Sequence, residues 1–186
     1  NPVKREQHLN IIIEETDRLT QIVNDMLDLS KLESGAQKLD YSTFDIAQCM
    51  AEIVHRYEGV SERMGYQIHL TLDEPCMVRC DESKIDRVIG NLINNAINYT
   101  SKEDKQVFVT QRNLPQCVRI EVRDTGDGIE EDKIKLIFDK YYRSENHKRE
   151  VVGTGLGLSI VKEILKMHNY NYGVNSKLGE GSTFWF

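Results

Sequence analysis

The chain has 186 residues, 39% of them hydrophobic and only 3 proline, which describes a folded protein and excludes a disordered one. A formal charge of −6 leaves no basic footprint for nucleic acid. No apolar run reaches the length of a membrane span and no secretory leader is visible; because the first residue is Asn1 and not Met, the chain is expected to be part of a longer protein, whose parent could hold a membrane segment.

Residues 9–33 repeat apolar side chains at a 3-4 spacing through Leu9, Ile12, Leu19, Val23 and Met26, with Ile13 and Leu27 widening the stripe. Charges such as Glu14, Asp17, Arg18, Asp25 and Lys31 fall mostly off it. This predicts a long amphipathic helix that stops at Gly35, where glycine supplies a left-handed cap. Such a seam calls for a partner helix, and nothing else in the chain matches it. The partner is therefore expected from elsewhere in the parent or from a second copy.

Residues 36–45 read as a linker with a strand-like piece at 41–44, and Asp45 caps a helix expected over 46–63. Residues 66–72 alternate as a strand and 77–80 form another. Asp81 then caps a helix with two unlike faces. Val88, Ile89, Leu92, Ile93, Ala96 and Ile97 share one side; Arg87, Asn91, Asn94, Asn95 and Asn98 share the other. Asparagine is a poor helix former, because its amide competes for backbone hydrogen bonds, so this row is a local strain of the kind that marks a functional site. Its amide oxygens are hard, neutral donors suited to Mg²⁺ that already carries phosphate. A merely solvated polar face is the plain alternative.

Residues 107–112 and 117–123 read as a β-hairpin, 133–138 as a short helical turn, and 139–152 as a charged, mobile loop. A helix over 156–167 follows, and a last hairpin joins 170–176 to 182–186. The mixture gives an α+β fold, a sheet covered by helices on one face. The four cysteines, Cys49, Cys76, Cys80 and Cys117, and the five histidines form no zinc pattern, so free thiols are expected.

Two glycine motifs follow on strand and loop. In residues 124–129 an aspartate precedes Gly126 and Gly128 directly after a strand. This suits either a turn or a purine site in which Asp124 accepts from an exocyclic amine. Residues 153–158 open a helix with Gly153, Gly155 and Gly157, a form that favours phosphate but fits neither a dinucleotide fingerprint nor a P-loop.

The order of these motifs is more specific than any one of them. The asparagine helix, the Asp-x-Gly-x-Gly motif, the aromatic stretch 137–143, the Gly-x-Gly-x-Gly motif and a final Gly-Ser-Thr-Phe resemble the ATP-binding catalytic domain of sensor histidine kinases, a branch of the GHKL superfamily, with its N, G1, F and G2 boxes in order. The resemblance covers residues 46–186. Residues 1–35 resemble the second helix of that family's dimerisation and phosphoacceptor hairpin, and 36–45 its linker.

The resemblance implies a Bergerat-type α/β sandwich with a lid near 139–155. It implies Mg²⁺ held by Asn91 and Asn95, Tyr99 against adenine, and Asp124 accepting from the adenine amine. It further implies a base pocket shaped by Gly126, Gly128, Ile129 and Thr183. Arg143 reaches a phosphate and, with Asn91 and Asn95, is implied to be catalytic; Gly153, Gly155 and Gly157 with Leu156 form the lid hinge and phosphate cradle, and Tyr141, Thr154 and Leu158 are implied to be further nucleotide-binding residues. Asn98 stands where the family often has lysine, which removes one neutralising charge. Asn169-Tyr170 replaces a usual Gly-Gly pair and is expected to need a left-handed residue at Asn169.

The implied reaction is transfer of the ATP γ-phosphoryl to a histidine and then to an aspartate of a response regulator. The implied setting is a homodimer on the cytoplasmic side of a bacterial membrane. The acceptor segment itself is missing, and His8 stands where the family has a structural aromatic. Gyrase, mismatch-repair and chaperone ATPases share the pocket but use a glutamate where this chain has Asn91, so slow ATP hydrolysis is expected. A nucleotide-binding module without catalysis is the second reading.

Overall fold

The computed structural model describes residues 2–100, 105–142 and 154–186. In chain order they form α1 (Pro2–Glu33), β1 (Ser42–Asp45), α2 (Ile46–His55), α3 (Glu58–Met64), β2 (Gln67–Leu72), β3 (Met77–Cys80), α4 (Glu82–Tyr99), β4 (Gln106–Asn113), β5 (Val118–Asp124), α5 (Gly157–Met167), β6 (Gly173–Lys177) and β7 (Gly181–Trp185).

Period-two alternation places Val107, Val109, Ile120, Val122 and Phe184 on one face of a five-stranded sheet ordered β2-β4-β5-β7-β6. Only β2 and β4 run parallel; the other neighbours are antiparallel. The helices cover that inner face. On α4 the whole apolar row from Val88 to Ile97 is at most 5% exposed. Each valine, leucine or isoleucine in that row contributes roughly 1.5–3 kcal/mol by leaving water. The outer face carries polar and aromatic pairs: His69 stacks on Phe108 at 4.8 Å, and Arg119 lies 4.3 Å over Trp185. A separate two-stranded sheet pairs β1 with β3. All four cysteines are unpaired.

The helix caps form as the sequence implies. Asp45 Oδ1 accepts from the Ala47 amide and Asp81 Oδ1 from the Lys84 amide, each near 3 Å. Gly35 at φ 67° and Asn169 at φ 56° are left-handed. Two expectations change. The helix expected over 46–63 breaks after His55, where Tyr57 turns inward and its hydroxyl donates to the Gly90 carbonyl of α4. Residues 133–138 make the short helical turn expected, the Ile137 amide donating to the Lys133 carbonyl at 3.2 Å, whereas the last hairpin starts at Gly173, later than 170. The charged loop expected over 139–152 falls, for residues 143–152, outside the described residues.

The largest change concerns α1. Its apolar seam stays open to solvent: Leu9, Ile12, Leu19, Val23, Met26 and Leu27 are each at least 46% exposed. A different stripe, Asp25, Leu29 and Leu32, is buried where α1 lies along α5. Asp25, read from sequence as off the seam, is therefore on the face that docks. Among the described residues no helix is long and apolar enough to cross a membrane.

Candidate functional site: two joined cavities beside α4

The C-terminal end of β5 delivers Asp124 to the mouth of the helical layer, 3% exposed. Its Oδ1 accepts from the Gly126 amide at 2.8 Å and from the Ser182 amide at 3.2 Å. Two backbone donors fix the carboxylate against the loop that follows. That loop requires its glycines. A Cβ at Gly126 would strike the Tyr99 carbonyl oxygen, and one at Gly128, whose φ is +72°, would strike the Lys177 carbonyl oxygen. The β6–β7 turn closes over the loop through Gly179 N–H to the Asp127 carbonyl at 2.6 Å, and Ser176 accepts from Ile129 N–H at 2.8 Å.

The result is a cavity of about 210 Å³. Ile129, Ile137, Leu158, Leu178 and Phe184 supply its apolar walls, and Asp124, Tyr99, Asn95 and Ser182 its polar edge. At the rim Lys133 pairs with Glu130 at 2.6 Å, and that carboxylate holds the Lys133 ammonium above its ordinary pKa. An apolar cavity with a backbone-fixed carboxylate at its polar edge is the form expected of a small-molecule site and accommodates a purine.

A second cavity, about 440 Å³, adjoins the first and shares Asn95, Tyr99, Ile137, Tyr142 and Leu158 with it. Asn91, Asn94, Asn95 and Asn98 of α4 form one wall; Thr154, Gly155 and Gly157 approach from the other side. A Cβ at Gly157 would lie 3.6 Å from Asn91 Oδ1, so the glycine segment runs close along the asparagine row. Asn91 Nδ2 is buried with no hydrogen-bond partner among the described residues. An orphaned amide in a polar cavity points to an occupant that supplies the missing bonds.

The structure thus gathers Asn91, Asn95, Asn98, Tyr99, Asp124, Gly128, Ile129, Thr154, Gly155, Gly157 and Leu158 around the two cavities. Gly126 stands behind the wall, against the Tyr99 backbone. Three expected residues sit elsewhere. Leu156 is fully buried and anchors the glycine segment in the core, its amide donating to the Thr154 hydroxyl at 3.2 Å. Tyr141 is 59% exposed and lines neither cavity; Tyr142 lines both. Thr183 alternates away from the cavity, because its neighbours Ser182 and Phe184 point in. Arg143 and Gly153 lie outside the described residues, as do 143–153 of the expected lid.

Among the lining residues not named as site residues from sequence are Asp25 and Gln21 of α1, and Ser182, Asp127, Glu130, Lys133, Leu178 and Phe184 around the first cavity. Strand alternation from Phe184 could have found Ser182. Nothing local marks Asp25, because its place in the cavity depends on where α1 docks.

Residues 80–186 match the profile of the histidine kinase-, DNA gyrase B- and HSP90-like ATPases, and residues 1–35 that of the His Kinase A phospho-acceptor domain. The chain is 36% identical over 195 residues to drug sensory protein A of Synechocystis sp., covering 99% of this chain and 29% of that protein. It is 35% identical over 182 residues to the sensor protein kinase WalK of Staphylococcus saprophyticus, covering 96% of this chain and 30% of that protein. It spans less than a third of the length of these relatives. Full-length ShkA, solved in complex with AMPPNP, aligns with a TM-score of 0.85 at 27% identity, covering 97% of this chain and 38% of that one. ThkA, solved with the response regulator protein TrrA, shares the fold at a TM-score of 0.77 and 24% identity, over 100% of this chain and 51% of that one.

Proposed function

The chain belongs to the histidine kinase-, DNA gyrase B- and HSP90-like ATPase family, and on that premise we propose that it is the ATP·Mg²⁺-binding catalytic portion of a protein-histidine kinase. The observation that carries this reading is the adjacency of the two cavities: a pocket edged by the backbone-fixed Asp124 carboxylate shares five lining residues with a cavity walled by a row of asparagine amides. Adenine fits the first, with Asp124 accepting from its amine. The triphosphate fits the second, beside Thr154 and Gly155. Neutral amides and an orphaned buried Nδ2 fit a metal–phosphate occupant better than a bare cation. Asn91 and Asn95 would hold Mg²⁺ there, and the ion would offset phosphate charge.

This chain's own residues position the γ-phosphoryl and shield it. The polar face of α4 supplies no glutamate to activate water, so the phosphoryl is kept for a histidine outside this chain. The histidine and then a response-regulator aspartate are the acceptors in this proposal, by analogy with the kinases it resembles and with the regulator bound to ThkA. The exposed seam of α1 pairs two copies of the parent. The chain then sits on the cytoplasmic side of a bacterial membrane sensor.

Calorimetric titration with AMPPNP and Mg²⁺ tests the site. Wild type is expected to bind in the micromolar range and Asp124→Asn at least tenfold more weakly, since a hydrogen bond to a charged partner is lost. Equal binding by the two proteins would refute the base assignment. Reconstitution with a separate acceptor helix then tests the kinase: radiolabel from ATP on its histidine is expected, and ATP binding without any transfer favours the non-catalytic module.

A further inference from the structure

Asp25 belongs to α1, yet its side chain reaches the cavity of the asparagine row and is 7% exposed. Its Oδ1 accepts from Gln21 Nε2 at 2.9 Å and from Arg87 Nη2 at 3.2 Å. Its Oδ2 accepts from the Thr154 hydroxyl at 3.1 Å. Arg87 Nη1 also donates to Asp28 Oδ2 at 2.6 Å. Two of these partners come from outside α1: Thr154, which lines the second cavity, and Arg87, which lines the neighbouring hollow that shares Asp25 and Asn91 with it. Arg87 is one helical turn before Asn91 on the same face of α4, and Thr154 opens the glycine segment before α5.

A guanidinium, a hydroxyl and a glycine-rich approach are the donors that an oxyanion of phosphate takes. Here a carboxylate of α1 takes two of them. The same carboxylate, fixed inside the cavity, repels an entering polyphosphate.

We propose that Asp25 is a built-in phosphate mimic, holding Arg87 and Thr154 until nucleotide phosphates displace it, so that bound ATP and docked α1 oppose each other and Arg87 becomes a phosphate ligand. This rests on the ATP reading of the site. Each ligand weakens the other's hold by the same factor.

The test is titration of the chain with AMPPNP and Mg²⁺ in wild type, Asp25→Asn and the double variant Asp25→Asn with Arg87→Gln, together with hydrogen exchange on wild type. Asp25→Asn is expected to bind about fivefold to tenfold more tightly, and adding Arg87→Gln to reverse that gain. Saturating nucleotide should lower amide protection across residues 21–33 of wild type, a readout that needs no variant to fold. Equal affinity of wild type and Asp25→Asn, or unchanged exchange in α1, overturns the mimic while leaving ATP binding intact. Weaker binding by Asp25→Asn also overturns it and makes Asp25 a support of the metal. If neither protein binds any nucleotide, the ATP reading itself fails and takes this inference with it.

Discussion

The two cavities beside α4 are built differently. The first is held by backbone: Asp124 by two amides, the Gly126–Gly128 loop by the close approach of the Tyr99 and Lys177 carbonyls, the β6–β7 turn by the Asp127 carbonyl. The second is held by side chains from three elements, α4, α1 and the segment at Thr154. A pocket whose surrounding loop is held by backbone contacts keeps its shape whether or not it is filled. A pocket walled by long side chains, one of them on a docked helix, can be rearranged by its occupant.

The sharpest way to break the contrast is Gly128→Ala. A Cβ there meets the Lys177 carbonyl in a backbone conformation that L residues rarely adopt, so the loop must leave its place. Loss of detectable AMPPNP binding is expected, with a stability loss of about 2 kcal/mol or more in urea unfolding. Normal binding would mean that the first cavity is as adjustable as the second.

A middle-sized effect is expected from Leu29→Ala. Leu29 is 3% exposed on the docked stripe, and its truncation should weaken the hold of α1 by about 2–3 kcal/mol, seen as lost exchange protection in α1. The core of residues 46–186 should stay closed, and its thiols report this. Burial, then the Asp86, Glu82 and Glu52 carboxylates, push the Cys49 thiol up to about 12. Its reactive thiolate is therefore scarce at pH 8, and alkylation should find exposed Cys117 first, with Cys49 silent in wild type and variant alike. Rapid labelling of Cys49 in Leu29→Ala would show that α1 holds the whole domain together.

The smallest effect should come from Lys140→Ala. Lys140 meets Glu33 of α1 at 2.6 Å, but both side chains are more than a third exposed. Water screens the pair, and under 1 kcal/mol is expected in the same exchange measurement. A loss as large as that of Leu29→Ala would make the docking of α1 electrostatic at its surface.

Local rules reached far into this fold. Period two and period 3.6 located the strands and the buried face of α4, and the caps at Asp45, Asp81 and Gly35 follow from side-chain chemistry acting over three residues. The asparagine row and the two glycine motifs marked walls of both cavities for the same reason: each is a short stretch whose residue types are awkward unless something nearby uses them. Thr183 was placed on the wrong side by one residue, although the parity of Phe184 carried the answer. Tyr141 and Tyr142 are adjacent alternatives that composition cannot separate.

By itself, then, the sequence determined the elements, the α+β class and the polar faces that a nucleotide site needs, because those depend on neighbours a few residues apart. Tertiary structure alone decided the order β2-β4-β5-β7-β6, the placing of the two cavities side by side and the choice of which face of α1 is buried. The apolar seam of α1 is the more conspicuous stripe, yet the stripe that docks holds an aspartate, because Arg87 and Thr154 wait for it on other elements. A charged residue on a helix reads as solvent-facing until the partners that neutralise it, 62 and 129 residues away, are brought beside it.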